Sequence, residues 1–222
     1  MAKRKQYDLT DLLIAILTTE LRKEVNRLDV MGFDELSAPR ITKITKEMVS
    51  RLLKSNKREY QKIAKEATEE ASNDINAIGI KATPIAISEK YVDETLGEYN
   101  PVTGYLYYPE ADRKRSRLAE ALITAVILGL RADYHKELKK FADLWHTQTL
   151  QYAETMVDKT RIKTFKKNGI KRVVWVSEHD NRVCEECKER DGKIYPINAI
   201  PTKPHYNCRC WIEPLKEDNN GK

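Results

Sequence analysis

All four cysteines of the chain lie in its last fifth, in an order that suits metal binding. Cys184 and Cys187 form a Cys-x2-Cys pair, and after seventeen intervening residues His205 opens a His-x2-Cys-x-Cys segment with Cys208 and Cys210. Thiolates and a neutral imidazole are ligands of tetrahedral zinc, and a tight turn aims both sulfurs of a Cys-x2-Cys pair at one ion. Five candidate ligands for four positions predict a zinc site with one ligand spare. The alternatives are one or two disulfides, or four ordinary buried thiols.

The composition indicates a helical protein with a basic surface. The chain has 222 residues, which is enough for one large domain or two small ones. It is 41% hydrophobic and 33% charged, and its 8 glycines and 8 prolines leave room for long elements. The net charge of +6 and the pI of about 9.0 permit contact with nucleic acid or an acidic protein surface without demanding either.

The pattern of apolar residues predicts neither a secretion signal nor a membrane span. The charged start, Met1 to Lys5, is followed by a short apolar run with no small-residue cleavage site. The most apolar stretch, Ala119 to Leu130, is too short to cross a bilayer. We therefore expect a protein made in a reducing cytoplasm, which favours a metal site over disulfides.

Helical spacing dominates the first three quarters of the chain. A first helix is predicted to end near Asp29 to Gly32, and Ser37-Ala38-Pro39 is a plausible start for the next. From Arg40 to about Asn76 a narrow apolar stripe runs along an otherwise charged helix, or along two nearly continuous helices. Such a stripe favours packing against a partner helix.

The tyrosine-rich stretch from Tyr91 to Tyr108 is predicted to be an irregular loop with a short hairpin at residues 105–108. It is interpreted either as a contact surface or as a connector packed on the core. From Pro109 to about Lys167 the chain is predicted to be helical again, with a bend or a close approach at Gly129.

Two basic stretches are candidate contacts with DNA or with an acidic protein surface. The first opens the helix after Pro109, where cations are unfavourable unless the helix begins earlier and residues 110–112 supply anions. The second is the densest basic run of the chain and is either a solvated face or a strip along phosphates. The candidates in the first stretch are Arg113, Lys114 and Arg115. The second run contains Lys159, Arg161, Lys163, Lys166, Lys167, Lys171 and Arg172, of which Lys163, Lys166 and Lys167 are the contact candidates.

A change of period marks the end of the helical part. Asn168-Gly169 stops the helix, and the β-branched and aromatic residues from Arg172 to Ser177 predict a strand. The expected fold is mainly α, with long amphipathic helices followed by a small Cys/His-rich α+β or β-hairpin module. The predicted divisions are a helical body for docking at 1–168, the Cys/His module at 169–215 and a disordered tail at 216–222. A module this small has only a thin apolar core, and a bound metal would supply the additional stability that it needs.

The order of residues in the module resembles a known family. Trp175 is followed by the Asp-x-Arg-x-Cys-x2-Cys segment at 180–187, then by Asp191-Gly192, and then by a Pro-His-x2-Cys-Arg-Cys segment at 204–210. This order is similar to that of the bacteriophage Mu F-like minor head proteins, also called phage head morphogenesis proteins. The resemblance covers roughly the last fifty residues, and the helical body matches only in general character.

The resemblance implies a minor structural component of a tailed-phage head. Such a protein is present in few copies at the portal vertex, acts in head morphogenesis and takes part in DNA packaging or delivery. The implied partners are the phage portal protein, capsid or scaffolding protein, and DNA. The implied location is the virion, in the capsid interior or at the portal vertex, with the host cytoplasm as the place of assembly.

Structural roles in the module follow from residue type. Cys208 and Cys210 would point to opposite faces of a strand, so both can bind one ion only if the backbone turns there. Asp180 and Arg182 would pair or cap the turn before Cys184, and Asp191-Gly192 would form a tight turn. Tryptophan side chains would form the apolar shell of the site, namely Trp175 and Trp211.

Three other functions compete with the structural one. A zinc hydrolase or nuclease is the main alternative, because Glu178, His179 and Asp180 lie near the cluster. The chain has no His-Glu-x2-His motif and no deaminase motif, so we predict that it is not an enzyme. A cysteine nucleophile paired with His205 and a cellular zinc-finger DNA binder are weaker alternatives, the latter because no basic recognition helix follows the cysteines.

Overall fold

The chain folds into long helices followed by a small sheet, as the composition predicts. The computed structural model describes residues 5–98, 100, 104–205 and 208–216, with side chains from residue 15 onward. The predicted disordered tail lies outside these residues, apart from Lys216. The helices are α1 (Lys5–Asp29), α2 (Ala38–Ala77), α3 (Glu89–Gly97), α4 (Tyr107–Ile127), α5 (Arg131–Lys167) and α6 (Glu185–Arg190). The strands are β1 (Arg172–Val176), β2 (Ile194–Pro196) and β3 (Trp211–Pro214).

The predicted ends of the first helices are confirmed. Helix α1 ends at Asp29, and a single turn of 3-10 helix at Phe33–Glu35 leads to α2. Ser37 is the N-cap residue of α2, with a proline in the first turn, because the fixed φ of proline suits this position. Helix α2 is one continuous helix of 40 residues, which makes it about 60 Å long.

The predicted loop at residues 91–108 is wrong in part. Helix α3 occupies its first half, and the Ser88 Oγ accepts a hydrogen bond from the Tyr91 backbone N–H at 3.1 Å, as a helix cap does. The short hairpin at residues 105–108 is also wrong, because α4 already begins at Tyr107. Tyr91 and Tyr107 are buried, so these two tyrosines pack in the core and are not part of a contact surface.

The long helical region after Pro109 is broken once. Gly129 has a φ of +69°, in the left-handed region that glycine adopts at little cost, and the chain reverses there between α4 and α5. The two helices therefore run as antiparallel neighbours and pack on α2. The predicted bend at Gly129 is confirmed, but the chain reverses its direction there.

Three clusters of buried side chains follow one another along α2 and α5. The first contains α1, α4 and the early parts of both long helices, and the second contains α3 and their middle parts. The third joins the ends of α2 and α5 to the sheet and the cysteines. In α2 the three clusters take Ile41, Met48, Val49 and Leu52, then Tyr60, Ile63, Ala64 and Ala67, then Ala71 and Ile75.

The three strands form an antiparallel sheet in the order β2-β1-β3. The predicted strand after Gly169 is confirmed as β1, which is the central strand. Trp175 lies opposite Ile212 in the register of β1 and β3. This pairing carries the chain from the second cysteine pair back alongside β1, so that the sheet holds the two halves of the Cys/His cluster together.

A buried arginine connects the sheet to the helices. The Arg161 side chain, on α5, is 1% exposed. Its guanidinium donates to Asp74 Oδ2 on α2 at 2.5 Å and to the Ile212 carbonyl on β3 at 3.0 Å, and Glu70 lies 3.9 Å away. Arg161 is therefore not part of an exposed basic strip, and it ties three elements together.

Candidate metal centre

Two loops at one end of the sheet supply the five candidate ligands. Cys184 is the N-cap residue of the short helix α6, and Cys187 lies in its first turn. His205, Cys208 and Cys210 lie on the segment that returns to β3. Cys187, Cys208 and Cys210 are buried, Cys184 is half-buried, and His205 is exposed.

The ligand atoms form two groups that share one cysteine. Cys184, Cys187 and His205 have their ligand atoms within 4.8 Å of one another, and so do Cys187, Cys208 and Cys210. The Cys187 and Cys208 sulfurs are 3.4 Å apart, and His205 Nε2 is 3.3 Å from the Cys184 sulfur. Tetrahedral zinc with Zn–S bonds of about 2.3 Å holds its sulfurs about 3.8 Å apart. The cluster thus has nearly the dimensions of such a site, and these groups could hold a metal ion.

Both cysteines of the Cys-x-Cys segment face the same point. Residues 208–210 precede β3 and are not part of a strand, so their side chains are not forced to opposite faces. A cavity of about 20 Å³ lies among the five candidates, all of which line it. That is room for a single ion or water molecule.

Hydrogen bonds between the thiols divide them into proton donors and acceptors. A hydrogen bond from the Cys210 thiol lowers the pKa of the Cys208 thiol to about 5, against the effect of burial. The same hydrogen bond and burial raise the pKa of Cys210, and burial raises the pKa of Cys187 to about 12. The pKa of Cys208 is therefore shifted towards the thiolate, which is the form that binds metals.

Cys184 is also shifted towards its thiolate form. Partial burial raises the pKa of its thiol, but hydrogen bonds from Cys187 and His205 outweigh this effect and lower it. The end of the cluster where Cys184 and His205 lie thus also has a sulfur that is shifted towards the thiolate. A cation at the centre would meet an acceptor from each of the two loops.

An ion pair clamps the two ligand loops to each other. Asp180, four residues before Cys184, accepts hydrogen bonds from both terminal nitrogens of Arg209, at 2.7 and 2.6 Å. The Arg209 guanidinium, together with the Arg182 backbone N–H, lowers the pKa of the Asp180 carboxyl to about 2. The Arg182 side chain is 3.8 Å from the same carboxylate, so Arg209 is its main partner. Sequence reasoning missed Arg209, although its position between Cys208 and Cys210 and its charge opposite to Asp180 were visible signals.

The other predicted module residues lie around the sheet. Trp175 belongs to the same buried cluster as three of the cysteines, and the Arg190 guanidinium lies 5.1 Å from the centre of its ring. Asp191 Oδ1 accepts from the Ser177 backbone N–H at 2.7 Å, and His179 lies 2.9 Å from its other oxygen. Gly192, with a φ of +72°, makes the turn that follows.

Most of the predicted DNA or portal contacts are already engaged within the molecule. Arg113 and Lys114 pair with Glu110, which lies in the first turn of α4, and Arg115 pairs with Asp112. On α5, Lys163 lies over the Tyr91 ring at 4.6 Å, and Lys167 donates to the Pro84 carbonyl at 3.1 Å. The remaining candidate is Lys166, which is exposed.

Fold and site together define a class of protein, a helical body that ends in a compact module with a Cys/His cluster able to hold a metal ion. Residues 116–213, from α4 to β3, match the family model described as Phage Mu protein F like protein. The match covers 98 of the 222 residues, and it confirms the family resemblance of the module. No curated protein and no solved structure matches the chain.

The family assignment indicates a phage head morphogenesis protein and, with it, association with the virion. The matched region is wider than the motif, because it includes the second half of α4 and all of α5. Among the described helices, none has an apolar stretch long enough to cross a membrane.

Proposed function

We propose that this protein is a minor structural component of a tailed-phage head that acts in morphogenesis at the portal vertex and in packaging or delivery of DNA. The observation that carries the proposal is the family match, which covers the long helix α5 together with the whole sheet. The buried Arg161 and the third core cluster make this region one packed unit. Such a unit suits docking on a large assembly as a rigid body.

The surface that we propose for the portal contact is the apolar end of the helical bundle. Four large apolar side chains are exposed there, just after α1 and from the last residue of α4 to the residue before α5. The tip residues are Val30, Ile127, Leu128 and Leu130, with exposed fractions of 82%, 73%, 62% and 44%. Tyr134 on α5 donates to the Leu28 carbonyl on α1 at 3.0 Å, which holds these ends side by side. Exposed apolar patches of this kind mark sites of protein contact.

We further propose that the Cys/His cluster binds zinc in a structural role. Soft thiolate and imidazole donors suit zinc, and the five candidates outnumber the four positions of a closed site. A catalytic zinc keeps one position open for water or substrate. Glu178 lines the cavity beside the cysteines, which is the observation that keeps a zinc hydrolase or nuclease as the second candidate. Hydrolytic activity that is lost in Glu178→Ala would favour that candidate.

The portal contact predicts a measurable complex. The purified full-length chain is expected to co-elute with the portal ring of the same phage in size-exclusion chromatography. The double variant Ile127→Ser, Leu128→Ser is expected to weaken this complex by at least about tenfold, because buried apolar anchors dominate interface energies. The two side chains are exposed, so the substitutions should leave the fold intact.

A matched control removes two exposed apolar side chains elsewhere, in the double variant Leu144→Ser, Ile194→Ser. These residues are 48% and 53% exposed, and this variant is expected to bind the ring like the parent protein. Elution of the full-length chain apart from an intact portal ring would contradict the portal role. Equal loss in both variants would contradict the choice of surface.

A further inference from the structure

The first two thirds of α2 carry a dense positive charge that the family match does not include. Between Arg40 and Lys65 there are nine basic and two acidic residues. With about 100° between successive residues of a helix, all nine basic positions fall within an arc of about 160°. The basic positions are Arg40, Lys43, Lys46, Arg51, Lys54, Lys57, Arg58, Lys62 and Lys65.

The opposite side of α2 is buried in the core, and this fixes the direction in which the basic side faces. Ile41, Met48, Leu52 and Ile63 are each at most 2% exposed. The basic face therefore looks outward along a straight line of about 38 Å. A depression of about 540 Å³ opens in its middle, lined by Arg51, Lys54, Lys57 and Arg58 among others.

Acidic groups from the neighbouring helices and from α2 itself neutralise part of this face. Glu24 on α1 pairs with Arg51 at 2.8 Å, and Asp93 on α3 pairs with Lys57 at 2.6 Å. The buried Glu59 pairs with both Arg58 and Lys62, Glu47 lies 3.9 Å from Arg51, and Glu89 lies 3.6 Å from Lys57. Arg40 has Glu35 at 3.9 Å. Four cations on this face make no ion pair with any described side chain: Lys43, Lys46, Lys54 and Lys65.

We propose that this basic face of α2 binds the phosphate backbone of duplex DNA. A duplex presents a regular row of charges over a length that matches the face, whereas an acidic protein patch would need a complementary shape. The face offers long, flexible cations and only Tyr108 as an aromatic neighbour in the depression, so stacking of single-stranded bases has little to build on. The proposal rests on the proposed role in packaging or delivery only in assuming that the protein meets DNA.

The test uses the purified full-length chain and a fluorescent random-sequence duplex, without portal protein. Fluorescence anisotropy is measured from about 50 to 200 mM salt. Replacing the four unpaired lysines by glutamine is expected to weaken binding by about tenfold or more and to reduce the slope of log K against log salt by about 4, one for each lost phosphate contact. The substitutions are Lys43→Gln, Lys46→Gln, Lys54→Gln and Lys65→Gln.

A control variant removes the same charge from exposed lysines away from this face. Its substitutions are Lys81→Gln, Lys136→Gln, Lys139→Gln and Lys193→Gln. It is expected to keep nearly the affinity and the salt slope of the parent chain. Equal loss in the two variants would overturn the assignment, and so would an absence of duplex binding by the parent chain at 50 mM salt. Because the assay contains no portal protein, a negative result for DNA binding does not bear on the portal complex, which is tested separately by size-exclusion chromatography. Binding of polyglutamate but not of duplex DNA would assign the face to an acidic protein instead.

Discussion

Arg161→Leu is expected to lower the free energy of unfolding by about 3 kcal/mol, because it removes a buried cation and leaves the half-buried carboxylates of Asp74 and Glu70 without it. The guanidinium is 1% exposed and contacts α2 and β3 at once. Its loss removes a charged hydrogen bond to Asp74 and leaves the Ile212 carbonyl without that donor. Urea denaturation followed by tryptophan fluorescence measures the change, and Trp175 and Trp211 report on the sheet.

Matched variants separate the buried ion pair from a general effect of charge. Arg172→Leu removes an exposed arginine eleven residues further along the chain and is expected to change stability by less than about 0.5 kcal/mol. The double variant Arg161→Leu, Asp74→Leu should recover part of the loss, since it removes the nearer carboxylate together with its cation and leaves only Glu70, which is 3.9 Å from Arg161 in the parent chain. A single Arg161→Leu variant as stable as the Arg172→Leu control would show that the buried pair does not hold the sheet on the helices.

The second large effect is expected at Cys187, which belongs to both groups of candidate ligands. The parent protein, purified under reducing conditions, is expected to contain about one zinc per chain. Cys187→Ser should remove nearly all of it and lower stability by several kcal/mol, with the free energy of structural zinc binding, about 10–16 kcal/mol in isolated fingers, as the upper limit. Elemental analysis and thermal unfolding with and without a chelator measure the two effects.

Two further variants identify the spare ligand. His205→Asn and Cys210→Ser each remove one candidate from a different group of three, and the variant that keeps the zinc content of the parent chain identifies its residue as the spare ligand. Val183→Ala, next to Cys184, is a control that changes the apolar surroundings and keeps all five donors. Parent protein without metal and with a mass that shows disulfides would contradict the zinc site and favour the disulfide interpretation.

Local patterns in the sequence were enough to predict the long helices and the central strand. Ser37 with its following proline marks the start of α2, and Asn168-Gly169 marks the end of α5. The short helix α3 was missed because Gly97 and the Asn100-Pro101 pair dominate that stretch. Its cap, Ser88 before Tyr91, was nevertheless a readable signal.

Long-range contacts were beyond the reach of the sequence. Arg161 was counted in a basic run because its acidic partner, Asp74, is 87 residues away along the chain. The same distance problem hid the Arg209 clamp on Asp180, 29 residues away. Cys spacing predicted which residues could bind a metal, and only the folded chain shows that Cys187 is common to both groups. The division of the chain at Gly169 stays a prediction.

Helix α2 begins beside the exposed apolar end of the bundle and ends in the core that carries the cysteines. Because it is unbroken over 40 residues, it is a rigid spacer about 60 Å long between these two ends. A partner held at the apolar end would therefore fix the distance and the direction at which the Cys/His module stands from it. The basic face lies along the same helix, so a bound duplex would run parallel to the line from the apolar end of the bundle to the Cys/His module.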